Sequence, residues 1–344
     1  MPPEKGEHYA YAYGVVCGKY SKLFDYRVME NFIEARGISE ILASLEATEY
    51  EKDIRGDLRK EATTRPLELA LKKHFMRIYD DIALTMPEND RKLLDTIIPE
   101  ELNVRNLKII LRAIHSGMSH ERLMQLVGPS RKDDTKLFQN LSKSGSIEEF
   151  ISGLRDTPYH KALLDKVGAY KEFGNLLPLE AALDKVLIEK WEEHTVENDE
   201  IKTFVGAKID RINIKNVIKC KIYGIPLQEH VFDGGLQISK MTLGIMAGVD
   251  IGEMSRLVER TIYGNVVREA IEEYKKTGSL THLDVGLEKI VMSLLEHSSK
   301  FNPLSIGSVI SFLNLKGKEV NNLITIAICK SYDIPPKEIK ELMI

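Results

Sequence analysis

Apolar residues recur along this chain at intervals of three and four, with polar residues filling the gaps. In ELNVRNLKIILRAIHSG at 101–117, Leu107, Ile110, Leu111 and Ile114 fall on one helical face. Arg105, Lys108 and Arg112 cover the other face, and Gly117 supplies a C-terminal stop. The stretch PLELALKKHFMRIYDDIALTM at 66–86 keeps the same period, with Pro66 acceptable in a first turn. No window of comparable length alternates as a strand would. The pattern predicts an all-α chain.

The helical pattern is written three times. ISEILASLEATEY at 38–50, IEEFISGLRDTPY at 147–159 and IGEMSRLVERTIY at 251–263 each set three apolar residues at offsets 0, 3 and 7, then a threonine and a tyrosine at 10 and 12. Ser146 with Glu149, and Asp250 with Glu253, predict capping boxes at two of the three starts. A second motif follows each copy: PLELALKK at 66–73, PLEAALDK at 178–185 and the eroded LDVGLEK at 283–289. A third element places Asn106, Asn213 and Asn322 at 68, 66 and 71 residues from the opening isoleucines. Three elements recurring in one order define three helical modules. The polar segments at 128–145 and 223–235 serve as junctions, giving modules at 1–130, 131–235 and 236–344, with the terminal helices added to the outer two.

Composition removes several classes of function. With 43% apolar residues the chain can build a sizeable core, and its 48 basic against 52 acidic side chains are mixed without a basic block. Nothing in that balance points to nucleic acid. Cys17, Cys220 and Cys329 are far apart and odd in number, which fits a reducing compartment and buried thiols rather than disulfides or a metal site. MPPEKGEHYAYAYG has no apolar run after its charges, so no signal peptide is read there, and LITIAIC at 323–329 is too short to span a bilayer.

The chemistry of an active site is missing too. GVVCGKYS at 14–21 imitates a phosphate loop, but three residues separate its glycines where four are needed, and Tyr20 follows the lysine. The histidines make no metal-ligand spacing, and the adjacent pairs Asp80-Asp81 and Glu192-Glu193 point to different parts of a helix surface. No catalytic residue, cofactor or metal ligand is assigned. Tyr50, Tyr159 and Tyr263, with Asn106, Asn213 and Asn322, are read as a repeat framework: the tyrosines pack across the bundle and hydrogen-bond at their tips, and Thr48, Thr157 and Thr261 satisfy helix-end backbone groups. Trp191 is read as a core or interface aromatic. An open helical-repeat scaffold, or a helical enzyme with a convergent polar pocket, stays compatible with these residues alone.

The ISEILASLEATEY and DTPY motifs, the helices that carry the repeated asparagines, the YAYG segment and the closing KGKEVNNLITIA together resemble the C subunit of archaeal and bacterial A-type (V-type) rotary ATPases, itself similar to the d subunit of the eukaryotic vacuolar enzyme. The resemblance covers about residues 8–342. It implies three modules in a pseudo-threefold funnel, seated on the membrane-embedded proteolipid ring and holding the central axle subunits of the ATPase head. It further implies a non-catalytic connector that passes torque, monomeric when isolated, and peripheral to the membrane on its cytoplasmic face. Two positions depart from the pattern: Gly14, where alanine is more usual, and Ile328, where Arg112 and Lys219 have cations.

Overall fold

The computed structural model describes residues 5–54, 63–195 and 198–343. Residues 1–4 of the segment read for a signal peptide, and 55–62 of the first proposed module, lie outside the described residues, as do 196, 197 and 344. All regular structure among the described residues is helical. The first copy of the repeat brings α1 (Lys5–Tyr20), α2 (Tyr26–Glu34), α3 (Ile38–Leu45), α4 (Glu51–Ile54), α5 (Thr64–Ala83), α6 (Glu88–Ile97), α7 (Pro99–His115) and α8 (His120–Leu126). The second brings α9 (Lys132–Leu141), α10 (Ile147–Ser152), α11 (Tyr159–Leu164), α12 (Val167–Phe173), α13 (Leu177–Thr195) and α14 (Asp199–Tyr223). The third closes with α15 (Lys240–Gly248), α16 (Ile251–Leu257), α17 (Gly264–Thr277), α18 (Thr281–Phe301), α19 (Ile306–Ser331) and α20 (Pro336–Glu341). The long helices α7, α14 and α19 carry the repeated asparagines.

Their ends show why the chain turns where it does. After α7 the Met118 amide donates to the Ala113 carbonyl at 2.9 Å, after α14 Ile225 to Cys220 at 3.0 Å, and after α19 Ile334 to Cys329 at 3.0 Å. Each bond closes around one left-handed residue: Gly117 at φ 66°, Gly224 at φ 67° and Asp333 at φ 55°. Asp333 stands eleven residues after Asn322, as the two glycines stand after their asparagines. The third stop is therefore built without glycine.

The described chain forms two compact units. One comprises Met1–Leu94, Gly128–Arg131 and Glu296–Ile344. Within it α19 lies along α5 and is flanked by α1, α2, α3 and α20. Leu67, Leu71, Phe75 and Ile82 of α5 are buried, as are Ile310, Leu313, Val320 and Leu323 of α19, and together they belong to this unit's core. Gly317 lets α19 come close to α5, since a Cβ there would stand 3.3 Å from the Phe75 ring.

The other unit comprises Asp95–Val127 and Lys132–Leu295. Here α13 packs between α7 and α14, and fully buried Trp191 donates its indole N–H to the Thr96 carbonyl at 3.3 Å. Trp191 is a core residue. Helix α14 is buried on most of its circumference, because Ile214, Val217 and Ile218 share a cluster with Leu243, Met246, Met254, Val258 and Val267 of the third copy. The Ser146 hydroxyl caps α10 by accepting the Glu149 amide at 3.1 Å, while the Glu149 carboxylate accepts the Gly145 amide at 2.7 Å, one residue before the cap. Asp250 occupies the N-cap of α16 without a side-chain cap, and its backbone carbonyl takes the Glu253 amide instead. The second expected capping box is not formed.

Candidate functional site

The triplicated threonine and tyrosine build the same turn three times. Thr48, Thr157 and Thr261 donate their hydroxyls to the carbonyls of Leu45, Leu154 and Val258 at 2.6, 2.7 and 2.6 Å, satisfying the end of the preceding helix. The amides of Tyr50 and Tyr263 return to Thr48 and Thr261 at 3.3 and 3.2 Å. Each tyrosine ring then leaves its turn for a long helix of another copy.

Tyr50 donates to Glu319 Oε1 on α19 at 2.6 Å, within the first unit. In the second unit Tyr159 donates to Glu100 on α7. The Tyr263 hydroxyl, also in that unit, faces the Asp210 carboxylate on α14 without closing a hydrogen bond. Burial first, and then the facing carboxylate, push all three phenols far above their usual range. All three stay protonated and neutral at any physiological pH. Glu319 and Asp210 both stand three residues before a repeated asparagine, and both accept backbone amides: Phe24 at 2.6 Å, and Gln237 and Ile238 at 2.7 and 3.3 Å. Phe24 and Gln237 each lie 26 residues before their tyrosine. At the equivalent place on α7 stands Asn103, whose buried Oδ1 has no hydrogen-bond partner. Tyr159 reaches one turn earlier, to Glu100.

The repeated asparagines are buried at corresponding places, Asn106 and Asn213 fully and Asn322 nearly so. Asn213 grips Phe232 by both backbone groups at 2.8 Å, and Asn216 donates to the His230 carbonyl at 2.8 Å. With Asp210, they fasten the segment 230–238 along α14. Gly235 fits there because a Cβ would fall 2.1 Å from Asp210 Oδ1.

Charge is concentrated along these joints. In the first unit Lys316 is fully buried between Glu49 at 2.5 Å and Glu319 at 2.7 Å, with its ammonium 4.2 Å from the centre of the Tyr50 ring. His74 stacks on that ring at 3.9 Å and sets Nδ1 3.0 Å from Asp53, which Arg77 also binds. Burial by itself would raise the Glu49 carboxyl, but His74 and Lys316 outweigh it and hold it at about 2. In the second unit α7 and α14 present cations to the acids of α13 and α18. Arg112 binds Glu180 at 2.5 Å, Lys108 binds Asp184 at 2.5 Å, Lys215 binds Asp284, and Arg211 binds both Glu288 and Glu101. Lys208 also binds Glu101, and Lys219 lies 3.6 Å from Glu180. Burial would raise Glu180, and its cations hold it at about 2.

The loop Phe232–Lys240 lines an open pocket of about 320 Å³ whose acid, Asp233, is paired with Lys240 at 2.6 Å. Among the described residues no group of His, Cys, Asp and Glu could hold a metal ion. The glycines of GVVCGKYS lie inside α1, where helix hydrogen bonds occupy the amides a phosphate would need.

The sequence of residues 12–342 matches the family described as ATP synthase (C/AC39) subunit. The chain belongs to that family. It is 29% identical over 345 residues to the C subunit of the A-type ATP synthase of Methanocaldococcus jannaschii, covering 98% of this chain and 86% of that protein. The corresponding C subunits of Methanosphaera stadtmanae and Haloferax volcanii are 27% and 25% identical, over 98% and 100% of this chain and 89% and 100% of their own lengths.

In this member of the ATP synthase (C/AC39) subunit family the joints use residues that no repeated motif marked. Glu319, Glu100 and Asp210 are single carboxylates in helices that carry several. One signal was available: Glu319 and Asp210 hold the same offset from the repeated asparagine. The loss of a cation at Ile328 also has its counterpart, because Glu68 and Lys72 of α5, the equivalents of Glu180 and Asp184, are paired with each other.

Proposed function

We propose that this chain is the non-catalytic central-stalk connector of a rotary A/V-type ATPase, seated on the membrane proteolipid ring and holding the axle of the ATP-driven head. It passes torque between the two, and so couples ATP synthesis or hydrolysis to ion transport. Membership of the family across nearly the whole chain supports this reading, together with relatives named as C subunits of A-type ATP synthases. The single observation that carries the mechanical part is the order of the tyrosine joints. The turn of copy two meets the asparagine helix of copy one, the turn of copy three meets that of copy two, and the turn of copy one meets that of copy three.

A cyclic order of this kind supports three modules, 1–130, 131–235 and 236–344, around a pseudo-threefold funnel, with Tyr50, Tyr159, Tyr263, Asn106, Asn213 and Asn322 as its framework. An open stack would leave the first turn and the last helix unjoined. Ion-paired, buried joints suit a part that must not yield under torque. Among the described residues no helix is long and apolar enough to cross a membrane, so attachment would come from contact with the ring. The isolated chain is expected to be monomeric.

Deletion of the chain tests the reading. Membranes without it should keep ATP hydrolysis by the head and lose ion pumping, and mild-detergent purification of the tagged chain should bring down axle and ring proteins together. Pumping at a normal rate per ATP in its absence would remove the connector role.

A further inference from the structure

Two of the three tyrosine joints pair their acid with a lysine, and the third does not. Glu319 holds Lys316 at 2.7 Å, and Glu100 holds Lys190. At the place of Lys316, six residues before the repeated asparagine, α14 has Ala207. Asp210 is fully buried there and closes no ion pair among the described residues. The groups that face it are donors: the Gln237 amide at 2.7 Å, the Ile238 amide at 3.3 Å, and the Tyr263 hydroxyl, whose bond is not closed. The neighbouring charges are placed elsewhere. On α14 Lys208 and Arg211 bind Glu101, on the segment 230–238 Asp233 is paired with Lys240 at 2.6 Å, and the Glu192 carboxylate of α13 stands beside Gly234. Burial raises the Asp210 carboxyl to about 6 despite its donors.

A closed circuit links this acid to the third turn. Gln237 gives its amide to Asp210 and takes the Ile262 amide on its side-chain Oε1 at 3.0 Å, and the next residue, Tyr263, returns to Asp210. We propose that Asp210 takes up a proton where the sister joints hold a lysine, so that acid locks segment 230–238 and the third turn onto α14 and alkali loosens them. The proton comes from solvent, which the open pocket of about 320 Å³ along Phe232–Lys240 brings to this segment. Once bound it gives the carboxyl an O–H, and the unpartnered Tyr263 hydroxyl is the acceptor facing it. The carbonyl oxygen still accepts the Gln237 amide, and the charge has left a buried site that has no cation.

In an opened segment Asp210 is solvated and titrates normally, whereas in the closed one its pKa is raised. The closed form is therefore firmest below the ordinary aspartate pKa and loses that hold as pH rises through 6. His230, at the start of the segment, has the opposite sign, because burial lowers its pKa and acid loosens it. The direction of the change tells the two residues apart.

Hydrogen exchange of the full chain and its Asp210→Asn form would be followed by mass spectrometry from about pH 4.5 to about pH 7.5, corrected for the intrinsic rate. Protection of peptides within 230–238 and 258–263 should fall about 10-fold or more with rising pH in the unaltered chain, and should not fall in Asp210→Asn. Protection that does not fall in the unaltered chain, or that falls equally in the variant, overturns the proposal. The Gln237 and Ile238 amide signals of the unaltered chain report by NMR on the carboxylate they bond, and should shift with a midpoint near 6. A midpoint of about 4, the ordinary aspartate value, overturns the proposal even where the variant does not fold.

Discussion

The Tyr50 hydroxyl donates to Glu319 at 2.6 Å across 269 residues of sequence, and the Tyr263 hydroxyl faces Asp210 without closing the equivalent bond. Two members of one repeat thus stand at different stages of satisfaction. Tyr50→Phe should cost roughly 1–2 kcal/mol of stability, since a buried carboxylate loses a donor. Tyr263→Phe should cost less than about 0.5 kcal/mol, because no closed hydrogen bond is removed. Urea midpoints of the two variants measure the difference, and equal losses would contradict the assignment.

Lys316, itself without solvent exposure, neutralises two largely buried acids at once. Lys316→Ala should destabilise the chain by about 3 kcal/mol or more, as Glu49 and Glu319 would be left facing each other. Adding Glu49→Gln to that variant should recover part of the loss. A double-mutant cycle in guanidinium reads the coupling directly.

Acid sensitivity should divide between two kinds of carboxylate. Glu49 and Glu180, held at about 2 in the folded chain, add stability that is present above the ordinary glutamate pKa and is lost as pH falls toward 2. Asp210 has the opposite sign: burial raises it to about 6, against the lowering effect of the Gln237 amide, the Tyr263 hydroxyl and the Ile238 and Leu236 amides. Its contribution is complete below the ordinary aspartate pKa and is lost as pH rises through 6. Asp210→Asn should therefore flatten the pH dependence of stability between about pH 4 and 6. Unfolding midpoints measured across that range would show no change of slope if Asp210 titrated normally.

Asp333 holds a left-handed conformation that Gly117 and Gly224 adopt freely. Asp333→Gly should be neutral or stabilising by up to about 1 kcal/mol, and Gly224→Ala should destabilise by about 1 kcal/mol. Thermal unfolding of the pair decides it.

The helices, their triplication and the chemistry of each turn were legible in the order of the residues. Thr48, Thr157 and Thr261 close their turns by hydrogen bonds to carbonyls three residues away, and Gly117 and Gly224 stop their helices by local backbone geometry. Interactions of that range are fixed by residue type and spacing, so a repeated pattern exposes them. Asp333 escaped notice because aspartate tolerates the left-handed region without demanding it. The partners of the tyrosines depended on packing instead. Nothing near Tyr50 distinguishes Glu319 from the other carboxylates of the chain, and only the packing of α19 along α5 in the first unit brings it there. The same holds for Lys316, Lys208 and Arg211, which read in sequence as ordinary polar positions on a helix. Their charges became joints because neighbouring helices enclosed them, and enclosure in a low-dielectric interior gives an ion pair a consequence that the same residues lack in water.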